Sequence, residues 1–535
     1  MHRRSIVTLF DAGVLSLVLV GVASADGGWQ TVRAEVRDSP RPAYPVVENA
    51  CAAPIPQVTD GEVVHINHPK EPLPRKAELP VDPRGQMDGG GLDGTTPSTA
   101  FPSKMPAPKS TYAGISFTRF FPPDPNMACG PQHVVLVVNT SWAAYRKSDG
   151  GLAIPSVQGL NAFFSSVIAG GESCFDPKVI YDSQAGRWVL VSMAVSDDYS
   201  LSSWLLAVSK TSDPSGDWYK YRLDGRLDGS TSTGNWADFP GVGVDGAAIY
   251  LTANMFTFDG TKNVFQYSKI RLLRKSSLYA GAPATWKDIT RIKDTDGFAF
   301  TVQPAQNYDN TTGNYLISAN YGTEANEYVS DKLTLWKITN PTGTPKITKK
   351  SLIVRSFTYA PDAVQKGGGD NYRVATNDHR LLNAVSRNGK LYTVHTIGKN
   401  WGSGTVAAIR WYEITAASGA VSQTNDFGKD KFYYFFPAAM PDAQGNLYLA
   451  FNRSSSTEYA GIRYTGRKPT APANQLDASV GLLISGKNTY APWTNRWGDY
   501  NGIAWDPADP GSVWIFSEYA SSLSSWGTQF GHIGY

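Results

Sequence analysis

Asp499 and Glu518 stand at the two open ends of one apolar hairpin, "NRWGDYNGIAWDPADPGSVWIFSEYA", residues 495–520. If that hairpin closes on its Pro- and Gly-rich turn without a bulge, the two carboxyl groups face each other within ~6 Å. Carboxylates that close repel when both are ionised, so one rises in pKa or a cation sits between them. Glycoside hydrolases use such a pair as acid and base, and calcium accepts the same hard oxygen ligands.

A second cluster is Asp378, His379 and Arg380 in "NDHRLL", with His395 at the end of the following strand. A histidine beside a carboxylate can serve as general base, and an arginine can clamp a uronate. Together they would suit a polysaccharide lyase. Asp176, Asp238 and Asp378 at strand starts, with Asn254, Asn320 and Asn452 at strand ends, would complete a polar, ligand-binding ring. The competing role for each is structural: strand-start Asp residues bond neighbouring backbone, and strand histidines make fixed hydrogen bonds.

These residues share positions in a repeat. Seven apolar runs end in a polar or sulfur-bearing residue: "VVLVVN" (134–139), "WVLVSM" (188–193), "IYLTAN" (249–254), "YLISAN" (315–320), "KLYTVH" (390–395), "LYLAFN" (447–452) and "VWIFSE" (513–518). A glycine precedes each, several in turn sequences such as "SRNGK" and "DAQGN". Such turns join antiparallel strands. Further strand candidates lie between the hairpins, and the unit recurs every ~55 to 75 residues, which predicts an all-β, seven-bladed β-propeller with four-stranded blades over residues 111–535. The last unit lacks an outer strand, and "TYAGISFTRFF" (111–121) is the candidate to close it.

Composition agrees. The 535 residues include 51 Gly, 34 Pro, 27 Tyr and 15 Trp, a turn- and aromatic-rich mixture that favours strands over helices. Net charge is only +3, and no basic block is interleaved with aromatics, so no nucleic-acid partner is expected. His2, Arg3 and Arg4, the apolar run Val14–Val22 and Ala23-Ser24-Ala25 have the layout of a signal peptide over residues 1–25. The mature chain is expected to be secreted or periplasmic after cleavage near Ala25, with no membrane span and as a monomer. Residues 26–110, rich in Pro and Gly, are expected to form a largely disordered leader. Its His65 and His68 lack neighbouring ligands for a metal. In an exported chain, three cysteines allow one bridge, and Cys129–Cys174 is the expected pair.

"FFPPDPNMACGPQHVVLVVNTS" (120–141), "DPKVIYDSQAGRWVLVSMA" (176–194), "AVSKTSDPSGDWYKY" (207–221), "GIRYTGR" (461–467) and "RWGDYNGIAWDP" (496–507) together resemble exported bacterial sialidase-like, or BNR-like, β-propeller proteins. The resemblance covers most of residues 115–535 and implies a secreted propeller. No good copy of the sialidase Asp-box turn, S-x-D-x-G-x-[TS]-W, is present, so it does not imply sialidase activity. The expected function is binding of a polysaccharide or glycoconjugate at the channel mouth, with calcium as a candidate support. The alternatives are a carbohydrate-active enzyme using the residues above, and a surface scaffold for protein contacts.

Overall fold

The computed structural model describes residues 28–52, 105–321 and 329–535. Each of the seven apolar runs becomes the second strand of an antiparallel unit: His133–Val138, Arg187–Ser196, Ala248–Phe258, Asn314–Ala319, Lys390–Asn400, Leu447–Ser455 and Ser512–Ser522. These strands are apolar throughout, without alternation, because both faces are covered. In Arg187–Ser196, Trp188 and Leu190 enter one core cluster while Val189, Val191 and Met193 enter another on the opposite face. Each such side chain contributes about 1.5–3 kcal/mol by leaving water.

Ahead of each lies a first strand: Asn126–Cys129, Glu172–Asp182, Asn235–Val244, Gln303–Pro304, Asn383–Arg387, Phe432–Pro441 and Gly502–Trp505. These seven touch one another in chain order, and the last touches the first. A Cβ on Gly502 would stand 2.8 Å from the backbone nitrogen of Met127, so this closing contact depends on glycine. The ring surrounds a cavity of about 60 Å³ lined by Asn126, Lys178, Gly241, Gln303, Asn383, Met440 and Asn501, one residue from each unit or its approach. That volume holds a few waters and no sugar ring.

Third and fourth strands complete each unit outward. In the seventh the outermost strand is Ser110–Ala113, paired with Ser525–Gly534 from Gln529↔Ala113 to His532↔Ser110. The short strand Gln306–Asn307 adds parallel pairs to the third and fifth first strands, joining those two units into one hydrogen-bonded sheet. Neighbouring units are also bolted by buried side chains. Arg271 and Asp288, both wholly buried, form a two-bond ion pair at 2.7 and 2.8 Å, with the guanidinium between Trp204 of the second unit and Trp286 of the third.

Two expectations need correction. Part of the leader is ordered: Gln30–Thr31, Glu35–Asp38 and Val46–Asn49 add edge strands to the fourth, third and second units, through Thr31↔Thr348, Val36↔Ile289 and Val47↔Tyr219. Main-chain pairing on an open edge needs no apolar pattern, which is why composition did not reveal it. Cys129 and Cys174 are not bridged; both are buried and free. Gly130, next to Cys129, packs against the Tyr181 ring, and Cys174 lies seven residues up the same strand from Tyr181. At ~3.3 Å per residue that separation is roughly 23 Å, against a disulfide limit near 7 Å between Cα atoms. The expected signal peptide, His65 and His68 lie outside the described residues. Among the described residues no helix is long and apolar enough to cross a membrane.

Removing residues 28–52 uncovers three strand edges, takes Ala50 out of one core cluster and strips Trp29, Val32, Ala34 and Ala43 from the margins of three others. The expected result is a folded protein that self-associates through those edges. Light scattering against the full chain measures it, and an unchanged monodisperse profile counts against an edge-covering role.

Candidate functional site

Three consecutive units around the closure, the seventh, first and second, place an Asp two residues ahead of a channel-lining residue: Asp499 before Asn501, Asp124 before Asn126 and Asp176 before Lys178. Asp124 and Asp176 both take φ of +46°, a left-handed conformation that Asp tolerates better than most residues. Phe239, Thr301 and Phe436 hold the same place in the third, fourth and sixth units with φ of 52°, 50° and 47°. The conformation therefore recurs in five units; Asp124 and Asp176 add a carboxylate to it, and Asp499 brings the third without a positive φ. All three Asp residues are buried, and their carboxylate oxygens lie within 4.8 Å of one another.

Local hydrogen bonds lock this arrangement. Asn139 donates its amide to Asp124 Oδ2 at 2.5 Å and accepts the Asp176 backbone N–H on Oδ1 at 2.6 Å. The Asp499 N–H donates to Asp124 Oδ1 at 2.6 Å, and the Phe239 N–H to Asp176 Oδ2 at 3.2 Å. Asp499 also accepts from Asn377 Nδ2 at 2.5 Å and pairs with Arg496.

Glu518 adjoins the cluster. The strand ladder stops at Gly502↔Phe516, so Asp499 and Glu518 are not a ladder pair. Glu518 meets Asp124 over Gly498 instead: the site of a Cβ there is 2.9 Å from Glu518 Oε1 and 3.5 Å from Asp124 Oδ1. The Glu518 side chain is wholly buried and neither carboxyl oxygen accepts a hydrogen bond; its own backbone N–H and the Trp497 indole N–H lie nearby but outside bonding geometry. Burial, then the neighbouring Asp124 and Asp499, push its carboxyl well above the usual range.

The cations are Lys178, Arg380 and Arg496. Lys178 Nζ sits 2.8 Å from the centroid of the Tyr500 ring, and among the described residues it makes no ion pair within 4.0 Å. Burial lowers the Lys178 ammonium to about 7 despite the opposing pull of Asp176, Asp124 and Asp499. Arg380 grips Asp378 with two nitrogens, Nε at 2.7 Å from Oδ1, and stacks on Phe239 and Phe300 at 4.4 and 4.9 Å. Burial of Asp378 opposes its ionisation, but Arg380 outweighs this and holds the carboxyl below its ordinary value.

The histidines are not placed for catalysis. His379 is wholly buried among Tyr321, Phe357 and Tyr359, and neither ring nitrogen has a hydrogen-bond partner. His395 is equally buried, with Nδ1 2.8 Å from the His379 carbonyl and Nε2 3.2 Å from the Tyr412 hydroxyl. Burial lowers His379 to about 4 and His395 to about 3. A uronic-acid polymer has no path to either ring, so the lyase roles of His379 and His395 fail on geometry.

That burial has a measurable consequence. Between pH ~6.5 and ~4 the unfolded chain protonates both histidines while the native protein does not, so the unfolded state binds more protons and stability falls as pH drops. Urea unfolding at stepped pH should show this loss, and replacing His379 with Phe should remove part of it. An H379F profile parallel to the parent would show that His379 is already charged in the native state.

The strand-end amides are latches between units. Asn254 accepts the Thr301 N–H at 2.8 Å and donates to Thr301 Oγ1, so the third unit holds the fourth. Asn452 donates to the Glu518 carbonyl at 2.8 Å and accepts from Asn501, so the sixth holds the seventh. Asn320 bonds Thr295 and Thr334. These three amides, expected to bind ligand, are spent on the protein. Asp238 pairs with Asn254 across the third hairpin and is buried.

Sequence reasoning missed Asp124, Lys178 and Arg496. The available signal was the Asp-Pro step, which occurs at Asp124-Pro125 and again at Asp176-Pro177 ahead of a first strand. Two long loops form one rim of the mouth, 359–382 and 485–501, joined by Ala375 N–H to the Asn495 carbonyl at 2.9 Å and Gln365 Nε2 to the Tyr490 carbonyl at 2.7 Å. The second loop carries Trp493, 59% exposed, and Arg496, whose side chain is one-third exposed.

No family model and no curated protein matches the chain. Solved structures similar to it include a Dyadobacter fermentans protein of unknown function, 12% identical over 69% of this chain and 96% of that one, with a TM-score of 0.32. An α-L-arabinofuranosidase from Fusarium graminearum is 9% identical over 79% and 98%, TM-score 0.35. A Hadza microbial sialidase is 12% identical over 75% and 73%, TM-score 0.35. Likeness at that level does not bear on what this chain binds.

Proposed function

We propose that the chain is an exported seven-bladed β-propeller, secreted or periplasmic and monomeric, that binds a polysaccharide or glycoconjugate across the mouth of its channel. The observation that carries this reading is the loop 485–501, which presents Trp493 and Arg496 to solvent and, three residues on from Arg496, delivers Asp499 to the buried carboxylates. An exposed indole offers a sugar face to stack on, and Arg496 offers a fork for an acidic substituent. The narrow cavity keeps the ligand at the rim.

Binding fits better than turnover by the Asp499/Glu518 pair. Glu518 would have to reach a glycosidic oxygen, yet it lies wholly buried beside Gly498, and Asp499 is held by Asn377 and Arg496. The test is a glycan array probed with the full chain, followed by a reducing-sugar assay on every hit. The expected result is saturable binding without hydrolysis, weakened about tenfold or more by Trp493→Ala. An array with no hits, or hits indifferent to Trp493, overturns the reading; turnover abolished by Glu518→Gln would restore the hydrolase.

A further inference from the structure

We propose that Asp124, Asp176 and Asp499, with Glu518 beside them, form a binding site for a divalent cation of the calcium class at the channel mouth. The site shares its place with the proposed glycan site and rests on that reading for location only.

Two independent observations meet here. Three buried carboxylates from three successive units bring oxygens within 4.8 Å of one another, close enough for one ion to bridge them. Beside them is a fourth carboxyl, Glu518, fully buried, with both oxygens unpartnered and Oε1 2.9 Å from the position a Cβ on Gly498 would take, which also lies 3.5 Å from Asp124 Oδ1. A buried polar group without a partner costs about 1–3 kcal/mol, and a structural role for Glu518 would supply it with donors, as Asn139 and Asn377 supply Asp124 and Asp499. What this side chain lacks is a positively charged partner.

The resident cations do not fill that role. Arg496 engages Asp499 from the rim, Arg380 is committed to Asp378, and Lys178 lies over the Tyr500 ring. An all-oxygen, all-carboxylate set favours a hard ion, and the backbone carbonyls and waters that calcium also accepts allow six to eight ligands. Zinc, which prefers nitrogen and sulfur, is disfavoured: among the described residues no histidine or cysteine brings a ligand atom into the group. A bound ion would tie the seventh unit to the first and second, across the seam where the ring closes.

The test uses the full chain dialysed against chelator and contains no glycan, so it succeeds or fails apart from the glycan reading. Terbium ion is the probe, because Trp497 and Tyr500 flank Glu518 and the Asp cluster and should sensitise its emission. The expected result is saturable emission at one ion per chain, displaced by calcium at or below about 1 mM, the weak end of extracellular calcium modules. Calcium should also raise the melting temperature. Asp124→Asn and Asp176→Asn should each weaken terbium binding roughly tenfold or more, whereas Asp149→Asn, on the exposed surface, should not. Absence of saturable emission together with absence of a calcium-dependent melting shift overturns the proposal, as does full retention of emission by folded Asp124 and Asp176 variants. Should those variants fail to fold, the parent titration and Glu518→Gln decide it.

Discussion

Replacing Arg380 with alanine is expected to destabilise the protein by about 3–5 kcal/mol, because it strands a buried carboxylate. Asp378 is 4% exposed and its oxygens are held by the Arg380 guanidinium and the Arg380 backbone N–H. The same change removes the guanidinium from Phe239 and Phe300, so packing is lost with charge. Arg380→Lys keeps the charge but not the planar fork, and should recover only part of the loss. The double variant Asp378→Asn/Arg380→Met removes both charges and should be far closer to the parent than Arg380→Ala alone. Urea unfolding of the four proteins measures the coupling, and additive effects would show that the pair does not act as a unit. The pH sign follows: Asp378 titrates below its ordinary value when folded, so the stability it contributes is present above pH ~3.9 and lost as pH falls through the folded pKa. A lyase role for Arg380 would instead leave stability nearly untouched and remove activity.

How much of this was legible beforehand depended on the kind of signal each part leaves. Second strands such as Trp188–Met193 were plain because two sheets cover them and force an unbroken apolar run. First strands were obscure: Gln303–Pro304 is two residues long, and the Asn126–Cys129 strand follows a proline cluster that reads as loop. Asp124 was missed for that reason, although its Asp-Pro step repeats that of Asp176. Glu518 was found because it broke the repeat, standing where Asn254, Asn320 and Asn452 stand in other units. The structure explains the difference: Asn254 and Asn452 both donate and accept across a seam, and a carboxylate cannot donate once ionised. The histidines misled because His379 next to Asp378 in sequence suggests a relay, whereas successive residues of an extended chain point to opposite sides. Asp378 meets Arg380 and His379 enters an aromatic box.

Glu518→Gln should therefore do the opposite of what a structural residue does: in chelator at neutral pH it should stabilise the protein, by about 1–3 kcal/mol. The parent buries a carboxyl that accepts no hydrogen bond, beside Asp124 and Asp499. Its folded pKa is raised, so above pH ~4.3 the unfolded chain releases a proton that the native chain keeps, and the group subtracts stability as pH rises. Glutamine has no proton to keep and no charge to set against the two aspartates. The gap between variant and parent should thus be small near pH 4 and widen toward pH 7, as urea unfolding at both values would record. Calcium should narrow or reverse it, because an ion that binds only the native parent adds stability as RT ln(1 + [L]/Kd). A Glu518→Gln protein less stable than the parent at pH 7 in chelator would mean that the carboxyl already has its partner within the chain, and the argument for an external one would fall. A gain would mark Glu518 as a residue held against the interest of the fold, which is what a binding site demands of the side chains that build it.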